Sequence, residues 1–319
     1  MTDKFGRNID YLRISVTDLC DLRCTYCMPE EGVDKLPHKD ILSFEEIERL
    51  VKIFSDIGIK KIRLTGGEPL VRPGIVGLIE KIKNINGIKT VVMTTNGVKL
   101  KNYASKLKRA GLERINISLD SLNKETFKKI TRFDRLEDVL SGIESAKSVG
   151  LEPVKINTVV MKGLNTDEIY DFIDMAVEKK LEWRFIEFMP LGGVQIVQKD
   201  YFVSNKLIKE KIEEKYDLQI IKDAKSLVAN VYNIRGTDAK VGFISPLTHK
   251  FCHKCNRVRM TADGKLLPCL MSSSEYNLKK MLRKKSSDET IKKFIKKVIN
   301  EKPRKHDSKG NRNMSKMGG

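Results

Sequence analysis

Cys20, Cys24 and Cys27 stand together in the run Cys20-Asp-Leu-Arg-Cys24-Thr-Tyr-Cys27. Thiolates are the usual ligands of iron–sulfur clusters, normally four to a cluster. The local set stops at three, and the next cysteine in the chain is Cys252. A cubane held by three protein thiolates keeps one iron open to a small molecule. Structural zinc, by contrast, takes four ligands in paired knuckles. Disulfide frameworks belong to small secreted domains, and this chain is 319 residues long.

A second group follows far along the chain: Cys252-His-Lys-Cys255 and then Cys269, a C-x2-C-x13-C spacing. Read as zinc it is one ligand short, which His253 or His249 could supply. Read as a cluster it again gives three thiolates and one open iron. The six cysteines thus divide three and three.

The C-x3-C-x2-C spacing resembles the signature of the radical S-adenosylmethionine (SAM) enzymes, with Tyr26 at the aromatic position which that family places before its third cysteine. The resemblance implies that the open iron chelates the amino and carboxylate groups of SAM and that cleavage yields a 5′-deoxyadenosyl radical, the cofactors carrying the hard chemistry. It also implies site residues at the C-terminal ends of barrel strands. Gly67 of Gly66-Gly67-Glu68-Pro69 would accept the SAM amino group through its backbone. Thr94-Thr95-Asn96-Gly97 would end the third strand, and the Ser118 hydroxyl of Ser118-Leu119-Asp120 would face the SAM carboxylate or ribose. Met189 would lie against the adenine.

The second cysteine group narrows the resemblance to the GTP 3′,8-cyclase family of molybdenum cofactor biosynthesis. It rests on Cys252-His-Lys-Cys255-Asn-Arg257-Val258-Arg259, the Asp263-Gly264-Lys265 turn, Cys269-Leu270 and Gly318-Gly319. The resemblance implies two [4Fe-4S] clusters, the second binding the guanine of GTP through its open iron. It implies GTP contacts from Arg13, Arg63, Thr94, Lys155 and the segment Arg257, Val258, Arg259, with Arg257, Arg259, Gly318 and Gly319 assisting the chemistry. Met317 precedes the two glycines where the family more often has isoleucine. Cyclic pyranopterin monophosphate synthase as next enzyme, an electron donor and a homodimer are further expectations of the resemblance. Glu187, Glu182 or Glu68 could be salt-bridge partners of the basic residues in place of a triphosphate, and for Arg184, otherwise a phosphate ligand, the Trp183-Arg184-Phe-Ile-Glu187 strand could pair internally. Arginine beside a barrel interior is costly to bury unless paired, and its fork matches phosphate oxygens well.

Residues this scattered need a scaffold. The first two-thirds of the sequence alternate β-rich runs (Tyr11–Val16, Lys61–Leu64, Thr90–Thr94, Arg114–Leu119, Val154–Val160, Trp183–Phe188) with amphipathic helical runs. The clearest helix starts at Ser43, with Glu46 at capping-box spacing and Ile47, Leu50, Val51 and Phe54 on one face. Others are expected near Ile75–Lys83, Lys101–Ala110, Leu136–Val149 and Asp167–Lys179. Such alternation predicts a parallel sheet with right-handed crossovers. Its six units match the partial (β/α)6 TIM-type barrel that the resemblance implies, and two further repeats for a full barrel are not seen. A boundary is expected near residue 222. The core would then occupy 1–222, and an α+β region over 223–319 would close the open side of the barrel. After Gly192-Gly193 the rhythm changes, and the sequence reads as a helix at Val203–Lys215, strands near Leu218–Ile221, Val228–Asn233 and Val241–Ile244, then helices at Ser274–Lys284 and Asp288–Asn300.

With 40% hydrophobic residues the chain can bury a sizeable core. No apolar run approaches bilayer length and no secretory signal opens the sequence, so a cytoplasmic, reducing setting and no membrane partner are expected. The formal charge of +19 invites a nucleic-acid reading. Aromatic interleaving and a legible nucleic-acid module are both missing, and nucleic acid is not expected as a partner. Two rival functions remain at this point. One is another two-cluster radical SAM enzyme, such as a peptide maturase. The other is a non-catalytic zinc and nucleic-acid-binding protein.

Overall fold

A computed structural model describes residues 1–34, 36–189, 198–222 and 226–306. Six strands open the chain: β1 (Tyr11–Ser15), β2 (Lys61–Thr65), β3 (Thr90–Thr95), β4 (Arg114–Ser118), β5 (Lys155–Val160) and β6 (Glu182–Glu187). They alternate with helices α1 (Phe44–Asp56), α2 (Ile75–Lys83), α3 (Leu100–Arg109), α4 (Lys124–Thr131), α5 (Leu136–Ser148) and α6 (Ile169–Glu178). The Ser43–Glu46 capping box is formed in both directions, and Ile47, Leu50, Val51 and Phe54 of α1 are buried. Satisfying the free amides at a helix start in this way fixes where the helix begins.

The rest of the described chain contributes α7 (Gln198–Tyr201), α8 (Asn205–Glu213), β7 (Leu218–Ile220), β8 (Asn230–Ile234), β9 (Lys240–Ile244), β10 (Arg257–Met260), β11 (Lys265–Leu267), β12 (Tyr276–Asn277), α9 (Leu278–Arg283) and α10 (Asp288–Asn300). All twelve strands form one sheet, in the order β12-β11-β10-β1-β2-β3-β4-β5-β6-β9-β8-β7.

The expected six-stranded parallel core is present, and the sheet extends beyond it. β10 pairs in parallel with β1, and β9 pairs in parallel with β6, so eight contiguous strands run the same way. The two added strands come from the C-terminal part of the chain and are not βα repeats. They lengthen the sheet at both edges, and strands on either side of residue 222 share it: β7 pairs with β8. α4 is an eight-residue helix that the sequence pattern did not reveal.

In a strand, alternate side chains face opposite ways. On one face, Leu12, Ile14, Ile62, Leu64, Ile156, Trp183, Phe185 and Val258 join the hydrophobic core. The other face carries Tyr11, Arg13, Lys61, Arg63, Lys155, Arg184, Arg257 and Arg259 by register. Arg184 on β6 and Arg257 on β10 are near enough for their charges to act on each other, although five strands separate theirs in the sheet order. The sheet therefore curls, and its polar face is the concave one.

Candidate active site

The first cysteine group lies in the loop that leaves the C-terminal end of β1. The amides of Cys27 and Met28 both donate to the Cys24 carbonyl (2.9 and 3.2 Å), giving a tight turn. This loop rests on the end of α4: Arg23 N donates to Thr131 O (3.0 Å) and Thr25 N to Ile130 O (2.9 Å). Arg132, which caps α4 with a left-handed φ of 65°, sends Nη1 to Arg23 O (2.6 Å) and Met28 O (3.3 Å).

Loops after β2 and β3 close around the same place. Gly67 N donates to Thr17 O and Glu68 N to Leu19 O, both at 2.8 Å. A Cβ on Gly67 would stand 2.4 Å from the Leu19 carbonyl oxygen, so only glycine allows this approach. Glu68 is fully buried and accepts from Leu70 N (2.9 Å), Thr95 Oγ1 (2.7 Å) and Asn96 N (2.6 Å). Burial raises its carboxyl to about 7, against the pull of those hydrogen bonds. Asn96 Nδ2 donates to Asp21 Oδ1 at 2.7 Å and approaches Cys20 Sγ at 3.7 Å. The Tyr26 hydroxyl is engaged by Asp120 Oδ2 (2.6 Å), and its ring and that of Phe188 meet in a T-shaped pair. Ser118 ends β4, as expected, and is half-buried.

The second cysteine group is built by a hairpin. Cys255 stands just before β10 and Cys269 just after β11. These strands pair antiparallel (Arg259 with Leu267, Met260 with Leu266), so the x13 interval folds back on itself. Cys252 begins a 3-10 turn through Lys254, and Cys255 N donates to Cys252 O at 3.2 Å. Because β10 runs parallel to β1 with Arg257 opposite Tyr11, this group lies at the N-terminal edge of the sheet. The first group lies beyond Ser15, at the other edge. Four strand steps separate Tyr11 from Ser15, about 13 Å. The two groups thus face each other along the concave surface.

Between them lie the predicted basic residues. Tyr11, which the sequence reading passed over, holds them in place. Its hydroxyl accepts from Arg63 Nε, and its ring lies under Lys61 Nζ (4.6 Å) and the Arg257 guanidinium (5.7 Å). Burial alone would raise the Tyr11 phenol, yet Arg63, Arg13, Lys61 and Arg257 together bring it down to about 7. Arg63 Nη1 also donates to Thr94 Oγ1 (2.8 Å) and Met93 O (3.1 Å). Burial first, and then neighbouring cations, hold Arg13 well below its usual value and Arg259 at about 10. A polyanion would relieve both penalties. Nε of Arg257 is buried with no hydrogen-bond partner among the described residues. Arg184 realises its internal reading: Nε reaches Glu182 Oε1 at 2.6 Å, while Lys155 pairs with the other oxygen of the same carboxylate. Gly242 opposite makes room for it, a Cβ there falling 3.1 Å from Arg184 Cγ. Burial, then Arg184, lowers Lys155 to about 8.

Two expected residues sit differently from the simplest picture. Val258 turns its side chain into the core, because it alternates with Arg257 and Arg259, and only its main chain faces the strand partners. Met189 packs with Met271 beside Cys269 and Leu270, at the second cysteine group. Gly318 and Gly319, with Met317, lie outside the described residues.

No group of three His, Cys, Asp or Glu side chains among the described residues is set for a single metal ion. A cubane asks for a different arrangement, since its three thiolates bind three different irons and stay further apart. The thiols of Cys20, Cys24 and Cys27 interact electrostatically with one another, as close neighbours do. Burial, with Glu68 next, pushes Cys20 up to about 12, and burial, with Cys27 next, raises Cys24 well above its usual value. Bound iron would reverse that direction by deprotonating its ligands. At the second site Arg259 feels both Cys255 and Cys269. The donor sets fit a three-thiolate cluster at each place.

Residues 14–176 match the radical SAM superfamily and residues 181–308 match the family described as Molybdenum Cofactor Synthesis C. Among curated relatives, the GTP 3′,8-cyclases of Thermodesulfovibrio yellowstonii, Alkaliphilus metalliredigens and Petrotoga mobilis are 51%, 49% and 47% identical, with both chains covered in full. The structure of Streptococcus suis SuiB shares the fold, at a TM-score of 0.64 and 18% identity, over 94% of this chain and 68% of that one.

Proposed function

The chain belongs to the radical SAM superfamily and, within it, to the GTP 3′,8-cyclases, and on that premise we propose how its residues divide the work. The reaction converts GTP into (8S)-3′,8-cyclo-7,8-dihydroguanosine 5′-triphosphate, the first step of molybdenum cofactor biosynthesis. The observation that carries the assignment of residues is the placement of two three-cysteine groups at opposite edges of one curled sheet, with cations lining the face between them.

Cys20, Cys24 and Cys27 hold the first [4Fe-4S] cluster, and Cys252, Cys255 and Cys269 a second. Bound at the first site, cluster and SAM supply a 5′-deoxyadenosyl radical able to take the C3′ hydrogen of the nucleotide. The Gly67 amide is engaged by Thr17, so its carbonyl is what it offers the SAM amino group. Ser118 and the Tyr26 main chain complete the cofactor pocket, whereas Met189, packed against Met271 beside Cys269, belongs with the second site rather than against the adenine. Glu68 keeps this pocket in register by joining the loops after β2 and β3. Arg13, Arg63, Arg257 and Arg259 take the triphosphate, with Thr94 orienting Arg63 and the main chain at Val258 fixing its two neighbours. Lys155 and Arg184 present one shared positive face through Glu182. The second site holds the guanine, so the nucleotide is tethered at both ends and its ribose stays within reach of the radical. Arg257, Arg259, Gly318 and Gly319 are the residues that assist ring closure.

We infer further a division of labour between 1–222, which carries the SAM residues, and 223–319, which carries the second cysteine group. A reductant, transfer of product to cyclic pyranopterin monophosphate synthase, a homodimer and a cytoplasmic setting complete the reading. All six cysteines are free thiols, which suits a reducing compartment. No described helix is long and apolar enough to cross a membrane. The test is anaerobic reconstitution with iron, sulfide, SAM, dithionite and GTP. Two clusters per chain and the 3′,8-cyclised nucleotide by NMR are expected; a single cluster in fully loaded protein contradicts the second assignment.

A further inference from the structure

Lys302 follows the end of α10 and is one of the largest fully buried side chains, with 2% of its surface exposed. Its ammonium donates to Arg257 O (2.8 Å) and Pro268 O (2.7 Å). These carbonyls lie two residues after Cys255 and one before Cys269, so one ammonium joins the two segments that carry those thiols. The Lys302 carbonyl in turn accepts from Arg7 Nη2 (3.3 Å), while Arg7 Nη1 holds Cys252 O (3.0 Å). Arg7 is itself fixed by buried Asp3 at 2.6 Å. All three cysteines of the second group therefore hang on two buried cations.

The partners of Lys302 are unusual. An ammonium has three donors. Two go to carbonyls, and the side chain also lies within reach of Cys255. Its ammonium makes no carboxylate ion pair among the described residues. A buried ammonium without an anion is strongly disfavoured. A cluster bound by three thiolates is such an anion, and hydrogen bonds to its sulfurs help set its reduction potential.

We propose that Lys302 is a positioning residue of the second cysteine site: its ammonium clamps the Cys255 and Cys269 segments together and donates to the Cys255 sulfur of the bound cluster, raising that cluster's reduction potential. The inference rests on the two-cluster reading above. A positive charge beside the cluster favours its more negative, reduced form, which gives the direction of the shift.

The experiment compares wild type, Lys302→Gln and Lys302→Arg, each reconstituted anaerobically. Iron and sulfide are counted, and each cluster signal is followed by electron paramagnetic resonance in a redox titration, with the first cluster as internal standard. In Lys302→Gln the second cluster is expected to load to a lower stoichiometry and to titrate at a more negative potential. Lys302→Arg, which keeps the charge, should move both quantities back toward wild type. Equal loading and equal second-cluster potential in all three proteins overturn the proposal. So does a glutamine variant that matches the arginine variant, including the case in which both lose the cluster alike. A wild-type protein with one cluster only is a different outcome, and overturns the two-cluster reading itself.

Discussion

At the scale of single residues, the nucleotide face is a problem in charge repulsion solved by a phenol. Tyr11 accepts from Arg63 and lies beneath two more cations. Removing its hydroxyl in Tyr11→Phe keeps the ring but takes from Arg63 its Nε partner, leaving the bonds to Thr94 and Met93. A hydrogen bond to a charged group contributes about 1.5 kcal/mol, so KM for GTP should rise about tenfold, while SAM cleavage in the absence of GTP should persist. The same residue predicts a pH effect. With its phenol held at about 7, Tyr11 is neutral below that pH and anionic above it. Above about 7 it neutralises part of the cation cluster and repels the triphosphate. GTP binding should therefore weaken in wild type relative to Tyr11→Phe as pH rises through 7; parallel pH profiles would contradict this. Glu182 offers a second test. It is the shared partner of Lys155 and Arg184, and removing one member of a buried pair costs about 3 kcal/mol. Glu182→Gln should lower the thermal midpoint, and GTP should restore part of the loss because its phosphates replace the missing anion. A midpoint that GTP leaves unmoved would speak against phosphate at this position.

At the scale of elements, α4 and β10 do the most positioning, and both were hard to read in the sequence. The first six strands and most of the helices were legible within a residue or two, because Val-, Ile- and Leu-rich runs alternate with clear helical periodicity. α4 has only eight residues and a polar surface; its signal was the Asn123 cap, whose side chain accepts from Thr126 N. β10 reads Arg-Val-Arg-Met, a period-two alternation hidden by two arginines. Functional residues on a strand weaken the local pattern that would announce it. Tyr11 stands in its strand run with no motif around it, and Lys302 follows the last helix in a lysine-rich stretch, because burial and partners are set by tertiary contacts. The two cysteine groups stand out by their spacing, whereas Gly67, Ser118 and the basic residues were named through the family resemblance, and their roles belong to the proposal above. The α4 contact can be tested through Arg132→Gly. Glycine tolerates the left-handed backbone there, so the variant removes the two bonds to Arg23 and Met28 with little strain. Iron retained at the first site should fall and SAM cleavage with it, while the second cluster stays; equal loss at both sites would contradict the local role of α4.

At the scale of the whole molecule, one sheet holds two cysteine groups beyond its opposite edges, with the Tyr11–Ser15 span of β1, roughly 13 Å, between them, and fills the interval with cations. The C-terminal strands extend the core at both edges, which is how residues more than two hundred positions apart come to share one surface. Separation of roles follows from this geometry. Cys24→Ser should abolish SAM cleavage, whereas Cys269→Ser should retain cleavage uncoupled from cyclisation. The most direct measurement is electron paramagnetic resonance of these two variants, reduced and titrated separately with SAM and GTP. SAM should shift only the signal that remains in Cys269→Ser, and GTP only the signal that remains in Cys24→Ser. Both ligands perturbing the same cluster, or GTP leaving the Cys24→Ser signal unchanged, would contradict the account.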